Sequence, residues 1–260
     1  MPRLCHNRHN DCNRIASRLH KSNDMNRENS GYTIIYAAVM VIIVALGLAF
    51  THQALSERQT ANVNIDKMQQ ILRSLNMDVS AAEAQQKYDE LVRNAYLITP
   101  EGEKVEGSEG TSPDDPAFST ELDDEHAAGL PVYEAEVDGS VKYIIPMQGT
   151  GLWGPIWGYL AVEADGSTIY GAEFGHQGET PGLGAEIATP SFRKQFTGKE
   201  LIKEGNFRSV AVVKSGQTAA GRDYVDAISG GTITSKGVDA MLLNSVGKYS
   251  KFLVNLNAAQ

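Results

Sequence analysis

The longest uninterrupted apolar run in the chain, Tyr32 to Phe50 (YTIIYAAVMVIIVALGLAF), contains 19 residues and no charge. At 1.5 Å per residue a helix of that length spans roughly 28 Å, one bilayer crossing. Beyond it, Leu55, Ala61, Ile65, Met68, Leu72 and Leu75 recur at helical intervals in an otherwise polar stretch, which predicts a helical stalk over Ala54 to Met77. Ser80 and Glu83 have the spacing of a capping box, and Tyr88, Leu91 and Val92 share a face behind them, so a second helix is predicted from Ser80 to Tyr96.

From Val132 the period falls to two. Tyr133 to Val137, then Asp138-Gly139, then Val141 to Ile145 is a hairpin pattern, because Asp-Gly accepts the positive φ angles that a two-residue turn demands. Trp157 to Glu163, Asp165-Gly166 and Thr168 to Phe174 repeat the pattern as a second hairpin. Pro190 to Phe196 reads as a short helix, Val210 to Val213 as a strand, and the chain from Ser235 as a closing helix whose body is Val238 to Leu256. The predicted fold class is α+β: a single N-terminal transmembrane helix, then an antiparallel sheet flanked by helices. The predicted division is residues 1–31 as an N-terminal arm, 32–50 as the membrane helix, 51–130 as stalk and acidic linker, and 131–260 as the α+β domain.

Charge orients this arrangement. Residues 1–31 hold six Lys and Arg against three acids, whereas the chain after them holds 17 basic and 29 acidic residues, a net of −12. The excess of positive charge before the span predicts a cytoplasmic N-terminus and a C-terminal domain outside. A cleaved signal peptide would have a shorter arm, a shorter apolar run and a small-x-small site after it, so the span is predicted to stay as an anchor. Met25 is an alternative start, in which case residues 1–24 would not be translated. Glu101 to Gly129 carries ten acids and one base, Lys104, among Gly, Ser and Pro, the composition of a solvated linker. An acidic outer domain argues against nucleic acid as a partner.

Both cysteines, Cys5 and Cys12, lie in the arm, so no disulfide can brace the outer domain. With His6 and His9 they have the makings of a metal set, but a short segment with no supporting core makes a poor cage, and no metal site is expected. Gly149-Thr150-Gly151-Leu152-Trp153-Gly154 matches a dinucleotide-binding fingerprint, yet Pro155 and a hairpin strand follow where that fold needs a helix. It is read as a tight loop between hairpins. Gly175 to Gly184 surrounds His176 and Glu179 with glycines and Pro181, a loop whose backbone could approach a flat ligand closely; a plain connector is the alternative. Asp226 to Gly237 gathers Ser229, Thr232, Thr234 and Ser235 with Gly230 and Gly231 just ahead of the closing helix. Such a cluster suits a phosphate, because unpaired N–H groups and the positive end of the helix dipole converge there, but it would also serve as an ordinary cap. No catalytic residue is expected.

Met147-x-Gly149-x-Gly151-Leu152-Trp153, Gly178-Glu179-Thr180-Pro181-Gly182-Leu183-Gly184 and Ser229-Gly230-Gly231-Thr232-x-Thr234-Ser235, in this order behind one anchor, resemble the C subunit of the sodium-translocating NADH:quinone oxidoreductase family. The resemblance covers about residues 30–258. It implies FMN bound covalently, through its phosphate, to a threonine at the position of Thr232, installed by a flavin transferase, with Thr234 the fallback acceptor. The family usually has alanine where this chain has Gly231. Leu152, Trp153, Glu179, Thr180, Leu183 and Lys214, with Ser229 and Ser235, are the expected surroundings of that flavin. The resemblance further implies one-electron transfer between an iron–sulfur centre and another flavin, carried by other membrane subunits of one complex coupled to sodium export. The G subunit of the Rnf electron-transport complex shares the last two motifs and is the nearest alternative; an anchored interaction domain without redox chemistry is the other.

Overall fold

A computed structural model describes residues 30–124 and 126–259, so the arm with Cys5, His6, His9 and Cys12 lies outside the described residues. The chain divides into two units, Met1–Thr60 and Ala61–Gln260. From Ser30, the described part of the first unit is helical throughout, with its apolar side chains exposed. Helix α1, Ser30–Ser74, holds the only segment among the described residues that is long and apolar enough to cross a membrane.

Within Ala61–Gln260 the last turns of α1 are core. Met68, Ile71, Leu72 and Leu75 are buried, so the apolar stripe expected of a stalk is here a packing face. The helix stops where Asn76 takes a left-handed φ of 61°, with the Met77 N–H donating to the Leu72 carbonyl and the Asn76 N–H to that of Arg73, the paired bonds of a Schellman end. Helix α2 covers Ala81–Leu91. The helix expected to reach Tyr96 instead gives way to strand β1, Val92–Ile98, because Ala95, Leu97 and Ile98 bury completely only when paired with the next strand. A single turn, α3 (Pro116–Ser119), lies in the acidic segment, and its Phe118 is buried against Tyr88, which corrects the expectation of a purely solvated stretch. Burying one such ring stabilises the fold by about 1.5–3 kcal/mol.

Strands β2 (Leu130–Val137), β3 (Ser140–Thr150), β4 (Pro155–Glu163) and β5 (Ile169–His176) complete a five-stranded antiparallel sheet in the order β1-β2-β3-β4-β5. The first hairpin turns at Asp138 and Gly139, both at positive φ as their sequence requires. Alternation sends Ile144, Tyr133 and Tyr159 to one face, where they meet Met68, Leu72 and Tyr88. Ile145, Met147, Leu160 and Phe174 point to the other.

That second face is covered by a 3-10 turn (Gly184–Ala188), α4 (Pro190–Arg193) and the C-terminal helices. Between them run β6 (Ile202–Lys203) with β7 (Asn206–Phe207), and β8 (Ala211–Val213) parallel to β9 (Tyr224–Asp226). The closing helix is two: α5, Thr232–Asn244, then a 3-10 turn and α6, Ser250–Ala258. It begins three residues before the expected Ser235. Glu173 in β5 is buried and accepts from Arg73 of α1 at 2.8 Å and from Arg193 of α4, so one carboxylate joins the end of α1 to the segment beyond the β5 loop.

Candidate functional site

Three glycine-rich stretches distant in sequence meet at the start of α5. The β3–β4 loop closes on itself through the Gly151 N–H and the Gly154 carbonyl at 2.8 Å, leaving Leu152 and Trp153 exposed at its tip. The loop after β5 turns through Gly182 at φ 75°, with the Leu183 and Ala185 N–H groups both donating to the Thr180 carbonyl. The third stretch reverses at Gly230, φ 77°, and enters α5 at Thr232 with Gly231 as its N-cap. A cavity of about 220 Å³ lies between them, lined by Leu152, Glu179, Thr180, Leu183, Gly184 and residues 230–234. Larger hollows lie elsewhere, among them one of about 420 Å³ beside Lys67 and Trp157 and one of about 720 Å³ beside Arg208 and Arg222. Neither contains the clustered hydroxyls and open helix end that give the smaller one its chemistry.

The first turn of α5 has no side-chain cap, and the N–H groups of Thr232, Ile233 and Thr234 have no acceptor among the described residues. Such an end attracts an anion. The two threonines differ. Thr232 is exposed, whereas Thr234 is buried and its hydroxyl donates to Glu179 Oε2 at 2.7 Å. Ser235, expected to begin the helix, is buried one turn in; its Oγ accepts from the Ile228 N–H at 3.0 Å, bracing the approach to the helix from behind.

Glu179 is the charged group of this cavity. Its Oε1 accepts from the Trp153 N–H at 2.9 Å, and its own N–H donates to His176 Nδ1 at 3.3 Å. Burial pushes its carboxyl up, but the Trp153 N–H, the Thr234 hydroxyl, the Leu152 N–H and nearby His176 together outweigh burial and hold it below the ordinary carboxylate value.

Of the residues singled out in the sequence, Leu152, Glu179, Thr180, Leu183, Thr232 and Thr234 line one cavity. Trp153 stands at its edge, bound through its backbone. Ser229 and Lys214 are exposed and are not part of the lining, and Lys214 follows β8. Sequence reasoning passed over Ile233, 56% exposed between the two threonines, and the role of Gly184. A Cβ at Gly184 would lie 2.1 Å from Glu179 Oε2 and 2.5 Å from Thr234 Oγ1, so the glycine is required by that contact. Its signal was its place five residues after a glutamate in a loop already rich in glycine.

A fold of antiparallel sheet and helices, with a glycine-lined cavity at an open helix end, defines a class of domain: residues 151–246 match the FMN-binding domain family. Over most of its length the chain is similar to the C subunit of the Na(+)-translocating NADH-quinone reductase of Vibrio vulnificus, 32% identical over 231 residues that cover 84% of this chain and 89% of that one. The same subunit of Pseudomonas aeruginosa is 30% identical, covering 90% and 99%. Among solved structures, the same subunit from Parabacteroides distasonis superposes with a TM-score of 0.71 at 55% identity, over 76% of this chain and 96% of that one. NqrC of Shewanella oneidensis gives 0.60 at 25% identity, over 76% and 99%. The chain belongs to the family of C subunits of the Na(+)-translocating NADH-quinone reductase, each one part of a membrane enzyme complex.

Proposed function

We propose that the chain carries FMN esterified through its phosphate to the Thr232 hydroxyl and relays electrons one at a time between an iron–sulfur centre and another flavin in the same complex. The observation that carries the choice of acceptor is the contrast between two threonines two positions apart in one helical turn. Thr232 presents a free hydroxyl at the open end of α5, and Thr234 is buried with its proton already donated to Glu179. The residues present fit the group. The unpaired N–H groups of the first turn would hold the phosphate, Gly230 and Gly231 let it approach the backbone, and Leu152, Leu183 and Ile233 offer apolar surface to a flat ring. When bound, the flavin supplies the electron chemistry, while the chain binds, orients and tethers it. A tether keeps the cofactor at a fixed local concentration beside its partners.

The reading extends to maturation and placement. A flavin transferase must reach Thr232, which its exposure allows, and the iron–sulfur and flavin subunits of the complex are the redox partners. The positive arm before α1 and the acidic chain after it support a cytoplasmic N-terminus and a periplasmic domain at the bacterial inner membrane. The test is the mass of the tryptic peptide Asp223–Lys236, from cells that contain the transferase. We expect it to carry one FMN, with fragmentation locating the added mass on Thr232, and Thr232→Val to abolish in-gel flavin fluorescence. An unmodified peptide, or mass on Thr234, would sink the assignment.

A further inference from the structure

Glu179 lines the cavity but has the bonding of a latch. Oε1 holds the backbone of the β3–β4 loop at Trp153, and Oε2 holds the Thr234 side chain in the first turn of α5. Two glycines make room for it: a Cβ at Gly151 would lie 2.4 Å from Oε1, and one at Gly184 would lie 2.1 Å from Oε2. A glutamine of the same shape could keep both contacts, accepting from the Trp153 N–H and donating to the Thr234 oxygen. What glutamine would lack is the charge. That charge is kept in a side chain with only 5% of its surface exposed, held by donors alone and with no lysine or arginine bonded to it among the described residues, so nothing bonded to it cancels the charge.

Resting on the FMN reading above, we propose that Glu179 is a positioning residue that clamps Leu152 and Trp153 to α5 and sets a fixed negative charge in the cavity wall, which disfavours adding electrons to the flavin held there. The two parts separate by substitution. Glu179→Gln removes the charge and keeps the clamp; Glu179→Ala removes both.

The experiment uses the full chain in detergent, produced with the transferase, and reads the midpoint potential of the bound flavin together with hydrogen exchange of the peptide containing Trp153. In Glu179→Gln the potential rises by a tenfold change or more in the one-electron equilibrium, about 59 mV, while exchange stays within about threefold of the unsubstituted chain. In Glu179→Ala exchange of that peptide quickens at least tenfold, a readout that needs no flavin. A flavin-loaded Glu179→Gln chain whose potential is unmoved or falls overturns the proposal alone, as does a Glu179→Ala chain with unaltered exchange. An unsubstituted chain that carries no flavin overturns the FMN reading, and this proposal with it.

Discussion

At the scale of single residues, the site depends on where side chains are absent. Gly184 and Gly231 both adjoin the cavity, but they differ in what a methyl would meet. At Gly184 the added carbon would sit against the Glu179 carboxylate and the Thr234 hydroxyl, which are bonded to each other, so withdrawing either breaks that bond. At Gly231 the nearest atoms are Ile228 Cγ2 and Cβ at 3.1 and 3.2 Å and the Gly184 N at 3.3 Å, and φ is −101°, an angle that any residue adopts. Gly184→Ala should therefore destabilise by about 1–3 kcal/mol and strip flavin from Thr232. Gly231→Ala should fold normally and be flavinylated in full, since shifts of a few tenths of an ångström at Ile228 and at the Gly184 backbone accommodate it. In-gel flavin fluorescence beside a thermal melt reads both, and equal behaviour of the two variants would refute the distinction.

At the scale of elements, Lys67 marks where α1 enters the core. Burial pulls its pKa down to about 8, with Glu121 pulling the other way, and its ammonium lies 4.7 Å from the Phe118 ring centre while donating to the Phe118 carbonyl. The unfolded chain keeps that proton up to about pH 10.4, so between about pH 8 and 10 the unfolded state binds more protons than the native one. The contribution of Lys67 therefore makes stability rise with pH across this window. A Lys67→Met chain should lose that component, and urea melts of both chains at about pH 7.5, 8.5 and 9.5 would measure it. Identical slopes would show that Lys67 is solvated in solution.

The elements also show what a sequence hides. The long apolar helix, both hairpins and the Asp138-Gly139 turn followed from local pattern, because each is decided within a few residues. Strand β1 did not, since Tyr88, Leu91 and Val92 continue a helical face and only pairing with β2 decides the matter. Phe118 was equally opaque: one ring in a strongly acidic stretch has no periodicity, and its burial depends on Tyr88 from another element. At the site, the hydroxyl cluster and the Glu179 loop were visible as composition. The bond from Thr234 to Glu179, which separates the two threonines, joins residues 55 apart and is a product of the fold.

At the scale of the whole molecule, the division at Thr60 and Ala61 separates a segment whose described residues bury nothing from one that holds the core. The buried side chains of α1 are Met68, Ile71, Leu72 and Ser74, all after the division, and both hydrophobic clusters draw only on residues beyond Ala61. The ion pairs of Glu173 with Arg73 and Arg193 likewise fall entirely within Ala61–Gln260. Removing the described residues of that segment, 30–60, therefore creates no cavity and strands no buried charge, the two losses that most often unfold a truncated domain. What it removes is a long exposed apolar helix, the part that requires detergent. The fragment 61–260 should be soluble without detergent and melt within a few degrees of the full chain in detergent. If the transferase needs only the site, the fragment should also accept flavin at Thr232 whenever both are placed in the same compartment. Flavinylation confined to the full chain would instead mean that the transferase engages the anchor or its membrane as well as the open end of α5.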